Sequence, residues 1–157
     1  MSISIGQAAP NFTLFDTDKK PVSLADFKGQ NVVVLFFPLA FTGVCTAELC
    51  NVRDHIAIYN NANATVLGIS VDSLFTLGKF KEEQKLNFPL LSDFNKAATS
   101  AFGVLYEVFP AFEMQGVSKR SAFVIDKEGV VQYAEVCPTP GDLPNFEAIQ
   151  TTLNTLN

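Results

Sequence analysis

The stretch Asn31-Val-Val-Val-Leu-Phe-Phe37, followed by Pro38-Leu39-Ala40-Phe41-Thr42-Gly43-Val44-Cys45, decides how this chain is read. A continuous β-branched and aromatic run without polar alternation predicts a strand buried on both faces. Beyond Pro38 the period changes. Leu49, Val52, Ile56 and Tyr59 recur at spacings of three and four, which predicts one helix from Thr42 to Tyr59 with a single apolar stripe. In open α/β sheets, chemistry gathers beyond the carboxyl ends of central strands. The segment after Phe37 is therefore the first place to look for function.

Outward from this unit, strands and helices alternate. Val22 to Leu24 reads as a short strand after the turn residues Asp16, Asp18 and Lys20-Pro21. Ala64 to Val71 reads as a second buried strand, and Ser73 to Leu86 as a helix with Ser73 as its N-cap. A short strand at Phe88 to Leu91 and a helix near Asn95 to Phe102 follow. Ser121 to Asp126 and Val130 to Val136 flank Lys127-Glu128-Gly129, a hairpin signal. Asn145 to Leu156 reads as a closing amphipathic helix. The pattern predicts an α/β sandwich with a central mixed β-sheet flanked by helices, built as one domain over residues 1–157.

Composition narrows the function classes. At 157 residues and 48% hydrophobic, the chain can bury a core without disulfides or metals. The net charge of −5 comes without a basic stripe, which argues against nucleic acid or an anionic membrane as partner. The apolar run from Val32 to Phe41 is far too short for a bilayer span. The first residues show neither a basic segment nor an apolar one of the kind that directs secretion, so a reducing cytoplasm is expected. Only 17% of residues are charged, against about 25% in an average domain. Part of the surface is therefore expected to be covered, for instance by a second copy of the chain.

Three cysteines and one histidine remain to be explained. Cys45 falls in the first turn of the long helix, where unpaired N–H groups stabilise negative charge and favour a thiolate. Thr42 lies three residues before it, at N-cap spacing, and Gly43 lets the backbone turn sharply. On the cysteine alone, a buried packing residue is the commoner reading. Its company favours chemistry. Of the two arginines, Arg53 reads as a solvated face charge, but Arg120 directly precedes Ser121-Ala-Phe-Val-Ile-Asp126, a central strand. A guanidinium there needs an anionic partner. A Cys45 thiolate would supply one, and Glu48, one helical turn after Cys45, could hold the guanidinium in place. An ordinary first-turn carboxylate explains Glu48 as well.

The spacing Pro38-x-x-x-Thr42-x-x-Cys45 resembles the signature of the peroxiredoxins, with their thioredoxin-like fold. Similarity extends over Gly6 to Phe12, Ser23-Leu24 with Lys28-Gly29, Leu67 to Asp72, Phe88 to Asp93 and Arg120 to Asp126. The resemblance implies a thiol peroxidase with Cys45 as the nucleophile. Thr42 would hydrogen-bond the thiolate and the peroxide, Arg120 would favour the thiolate and steer the peroxide oxygens, and Pro38 would shield the sulfur. The backbone N–H groups of Val44 and Cys45 would stabilise charge as the O–O bond breaks. No cofactor is implied. The partners implied are a peroxide, a thioredoxin or other dithiol reductant, and a second subunit in a homodimer.

The spacing Cys45-x4-Cys50 resembles the subgroup that resolves the sulfenic acid within one helix; a packed helix cysteine is the alternative. On an intact helix the two Cα atoms would stand ~8.7 Å apart, with side chains ~140° apart in rotation. A disulfide tolerates at most about 7 Å, so Cys45–Cys50 bonding requires the first turns to unwind. Cys137 matches no family role and reads as incidental or as an alternative resolver.

Other chemistries fit poorly. Cys45, Cys50 and His55 diverge on one helix and cannot converge on a zinc ion with Cys137, and His55 reads as a surface or helix-packing residue. No C-x-x-C or phosphate-binding loop is present. A redox-sensing or chaperone-like module on the same fold is the alternative to an enzyme. Leu39, Phe41 and Phe112 permit organic substrates. The aromatic stretch from Leu105 to Met114 reads either as a covering loop or as a subunit interface.

Overall fold

In the computed structural model, which describes residues 2–156, a seven-stranded mixed sheet carries helices on both faces. The strands are β1 (Thr13–Asp16), β2 (Pro21–Ser23), β3 (Asn31–Phe36), β4 (Ala64–Ser70), β5 (Leu90–Ser92), β6 (Ser121–Ile125) and β7 (Val131–Val136). Their spatial order is β2-β1-β5-β4-β3-β6-β7. The central trio β5-β4-β3 is parallel, and the remaining pairings are antiparallel. The helices are α1 (Gly43–Asp54), α2 (Ile56–Asn61), α3 (Leu74–Gln84), α4 (Ala97–Ala101) and α5 (Phe146–Thr155), with a 3-10 turn at Leu24–Phe27.

Every residue of β3 is buried, as its unbroken apolar run requires. Alternate side chains feed two cores. Val33, Leu35 and Phe37 join Leu49, Val52, Leu77, Phe80, Ile149 and Leu153 on the face covered by α1, α3 and α5. Val32, Val34 and Phe36 join Phe12, Leu24, Phe102 and Phe123 on the other. At about 25 cal/mol per Å2 of apolar surface, each such side chain contributes roughly 1.5–3 kcal/mol.

Several boundaries differ from the sequence reading. The predicted helix from Thr42 to Tyr59 is two helices, broken at His55, whose φ of −116° and ψ of 18° leave the helical region. The stripe survives because the break keeps Val52 and Tyr59 against the core. Leu24 opens the 3-10 turn and is not part of β2. The strand β1 had no clear pattern: only Leu14 of its four residues is buried. The strand predicted over Phe88 to Leu91 instead spans Leu90–Ser92, because Ser92 pairs with Phe15 and Ser70. Ser73 does cap α3, its Oγ accepting from the Thr76 N–H at 3.1 Å. The β6–β7 hairpin forms as read, with Asp126 Oδ1 accepting from the Glu128 and Val130 amides. Among the described residues no helix is long and apolar enough to cross a membrane.

Candidate active site

Strand β3 delivers the chain to the carboxyl end of the sheet, and seven residues later α1 begins. The connecting turn is tightly held. Phe37 N–H donates to Ile69 O at 3.0 Å, and Ala40 N–H donates to the Asp72 carboxylate at 2.8 Å. Phe41 adopts a left-handed φ of 66°, and its ring packs edge-on against Phe80 with centroids 5.1 Å apart. Thr42 is the N-cap residue of α1, but its hydroxyl does not cap. It donates to Leu39 O at 2.7 Å, the carbonyl that the turn brings beneath it. The expected bond to the Cys45 sulfur is therefore absent in this state. Pro38 is buried and Val44 half-buried beside the sulfur-bearing turn.

Cys45 occupies the third position of α1 and is 1% exposed. Its amide and that of Val44 are among the first four of the helix, which have no intrahelical acceptor. Arg120, the residue before β6, reaches across with Nη2 3.3 Å from Sγ. The pairing β3–β6 sets this approach, since Phe36 lies opposite Ser121. The Arg120 side chain is 2% exposed and every nitrogen is engaged. Nη1 donates to Glu48 Oε1 at 2.6 Å, and Nη2 and Nε donate to Pro140 O at 2.9 and 3.3 Å. Glu48 is fully buried.

The electrostatics follow from that burial. Desolvation raises the Glu48 carboxyl to about 7, with Arg120 opposing the shift and Glu135 adding to it. For Arg120, desolvation favours the neutral form, but Glu48 and Cys45 outweigh it and its pKa rises. The guanidinium is thus a fixed cation between a carboxyl and a sulfur, with all its donors directed.

The other sequence candidates are placed elsewhere. Cys50 is half-buried on α1, and its Sγ contacts Gln84 Oε1 at 3.5 Å. All three thiols are free. Cys137 lies just past β7, next to Arg120, whose carbonyl accepts from the Cys137 N–H at 2.9 Å. Burial, with Glu135 and Glu48, pushes its thiol up to about 11. His55 is exposed, with Nδ1 2.8 Å from Asn51 O. Arg53 is not a free solvated charge: Nε meets Asp54 at 2.9 Å and Nη1 donates to Gln84 O, tying α1 to the end of α3. A cavity of about 280 Å3 lined by Ala8, Asn11, Leu24, Val32 and Ile125 sits at the start of β3, away from Cys45.

Residues 5–134 match the AhpC/TSA family. The chain belongs to this family, the peroxiredoxins. It is 38% identical over 144 residues to alkyl hydroperoxide reductase E of Mycobacterium tuberculosis, covering 90% of each chain. It is 43% identical over 131 residues to the chloroplastic peroxiredoxin Q of Oryza sativa, covering 83% of this chain and 58% of that one. Among solved structures, peroxidoxin BcpB from Mycobacterium tuberculosis superposes with a TM-score of 0.87 at 27% identity, covering 99% of both chains. The peroxiredoxin fold is thioredoxin-like, as the sequence resemblance implied, and the chain is an oxidoreductase of the thiol-dependent peroxidase class. Three groups around this candidate site were missed in the sequence. Pro140 O and Gln84 gave no signal, because a backbone acceptor and a helix-end amide carry no pattern. Asp72 did carry one: a carboxylate just past a central parallel strand.

Proposed function

We propose that Cys45 reduces hydrogen peroxide and organic hydroperoxides, and that Cys50 resolves the product. The observation that carries this reading is the contact of Arg120 with both Cys45 Sγ and Glu48. The thiolate of Cys45 attacks one peroxide oxygen as the O–O bond breaks. Sulfur is oxidised to sulfenic acid, and the departing oxygen takes a proton and leaves as water or an alcohol. Arg120 places positive charge where negative charge moves from sulfur to oxygen, and the Val44 and Cys45 amides add to it. Glu48 and Pro140 O keep the guanidinium aimed. Thr42 is the remaining polar group at the turn and orients the incoming peroxide. Pro38 keeps bulk water off the sulfur, while Leu39 and Phe41 offer apolar surface to an organic substituent.

Cys50 then condenses with the sulfenic acid, releasing water and forming Cys45–Cys50. Because Cys45 points to the core and Cys50 to Gln84, this requires α1 to unwind at its start. A thioredoxin or another dithiol returns both thiols. A reducing compartment such as the cytoplasm suits this cycle. Phe112, 89% exposed on the loop before Arg120, is the side chain best placed to meet a second subunit in a homodimer.

The test is steady-state peroxide consumption coupled to a thioredoxin system, with Cys45→Ser and Cys50→Ser proteins alongside. Turnover lost with Cys45→Ser, and an intramolecular disulfide lost with Cys50→Ser by mass spectrometry, are expected. Slow, stoichiometric oxidation of the wild-type chain would instead favour the redox-sensing module.

A further inference from the structure

Resting on the peroxidase reading, we propose that Asp72 is a positioning residue, a latch that holds the turn from Pro38 to Thr42 in its reactive shape. Asp72 is fixed on both sides. Its Oδ2 accepts from Ser70 Oγ at 2.6 Å, and its amide donates back to that hydroxyl at 3.2 Å. Its carbonyl accepts from Ser92 Oγ at 2.6 Å. Ser70 and Ser92 are register partners at the ends of β4 and β5, so Asp72 is anchored to two strands of the central sheet, its carboxylate by Ser70 and its backbone by Ser92. From there Oδ2 reaches out to Ala40 N–H at 2.8 Å, in the middle of the turn.

That turn needs an external hold. Phe41 keeps a left-handed φ of 66°, a conformation that a residue other than glycine retains only where its surroundings fix it. The Thr42 hydroxyl bonds only within the turn, to Leu39 O. The Asp72 bond comes instead from the end of the central sheet and reaches a backbone amide in the middle of the turn. The latch therefore has opposite effects on the two half-reactions. Held, the turn presents Cys45 beside Arg120. Released, it eases the unwinding that Cys45–Cys50 bonding demands.

Asp72→Ala removes the acceptor. Asp72→Asn keeps an oxygen for the Ala40 amide, and Ser70→Ala loosens the carboxylate without removing it. Hydrogen exchange of the reduced full-length protein is expected to quicken at least tenfold over residues 38–46 in Asp72→Ala. Less change is expected in Ser70→Ala, and near wild-type exchange in Asp72→Asn. In a Cys50→Ser background, single-turnover oxidation of Cys45 is expected to slow roughly tenfold with Asp72→Ala. With Cys50 present, the sulfenic-to-disulfide step is expected to accelerate. General destabilisation would slow both steps together. Unchanged exchange over residues 38–46, or parallel losses in both steps, overturns the latch. A wild-type Cys45 that does not react with peroxide overturns the peroxidase reading instead, and the exchange data still judge Asp72.

Discussion

Removing the Arg120 guanidinium should expose how much of the site's stability rests on a buried carboxyl. Arg120→Met keeps the length of the side chain and deletes every donor, leaving Glu48 fully buried without its cation. Stranding one member of such a pair costs about 3–5 kcal/mol. Arg120→Met/Glu48→Gln removes the stranded charge as well. The comparison turns on pH. Glu48 sits at about 7 in the wild type, above its ordinary 4.5, and Arg120 is one of the influences holding it down. Deleting Arg120 moves it higher still. A raised folded-state value means that stability is complete below pH 4.5 and is lost as pH climbs through the folded value, at about 1.4 kcal/mol per pH unit. Urea unfolding should therefore find the single and double variants nearly equal at pH 5, where Glu48 is protonated and resembles glutamine. By pH 8 the single variant should be weaker by up to about 4 kcal/mol. Cys45 oxidation should be slowed alike in both, because both lack the cation beside the sulfur. A stability difference that stays constant between pH 5 and 8 would refute the idea that Glu48 is a carboxyl restrained by Arg120.

Three further outcomes follow from single contacts. Cys137→Ser should leave peroxide turnover unchanged, and iodoacetamide should label wild-type Cys137 slowly at pH 7, since its thiol stands near 11. Gln84→Ala removes the partner of Cys50 Sγ, so the disulfide-forming step, followed by quenched-flow alkylation, should quicken by roughly two- to tenfold, as loss of a bond worth about 0.5–1.5 kcal/mol allows. Thr42→Val deletes the hydroxyl held by Leu39 O and should slow Cys45 oxidation in single turnover, whereas Thr42→Ser should keep most of the rate.

Legibility in the sequence varied with the range of the force involved. The β3 run and the α1 stripe could be read because burial imposes a period on neighbouring residues. Cys45 and Glu48 sit one helical turn apart, so their shared face was visible from spacing alone. The break at His55 was not visible, because the apolar stripe continues across it in Ile56 and Tyr59. Strand β1 is an edge-side element held by cross-strand bonds, with one buried residue, and so leaves almost no hydrophobic pattern. Arg53 looked solvated because the carbonyl its Nη1 meets, Gln84 O, lies on a helix more than thirty residues on.

By itself the sequence determined the layered α/β architecture, the thiol at a strand-to-helix turn and the need of Arg120 for an anion. Each is written in local periodicity or in the desolvation cost of a charged group next to an apolar strand. Tertiary structure alone decided that Pro140 O aims Arg120 beside the expected Cys45 and Glu48. It also decided that Cys50 is turned towards Gln84 and that Asp72 grips Ala40. Hydrogen bonds act over about 3 Å, so partners distant along the chain become neighbours only once the sheet has fixed its register.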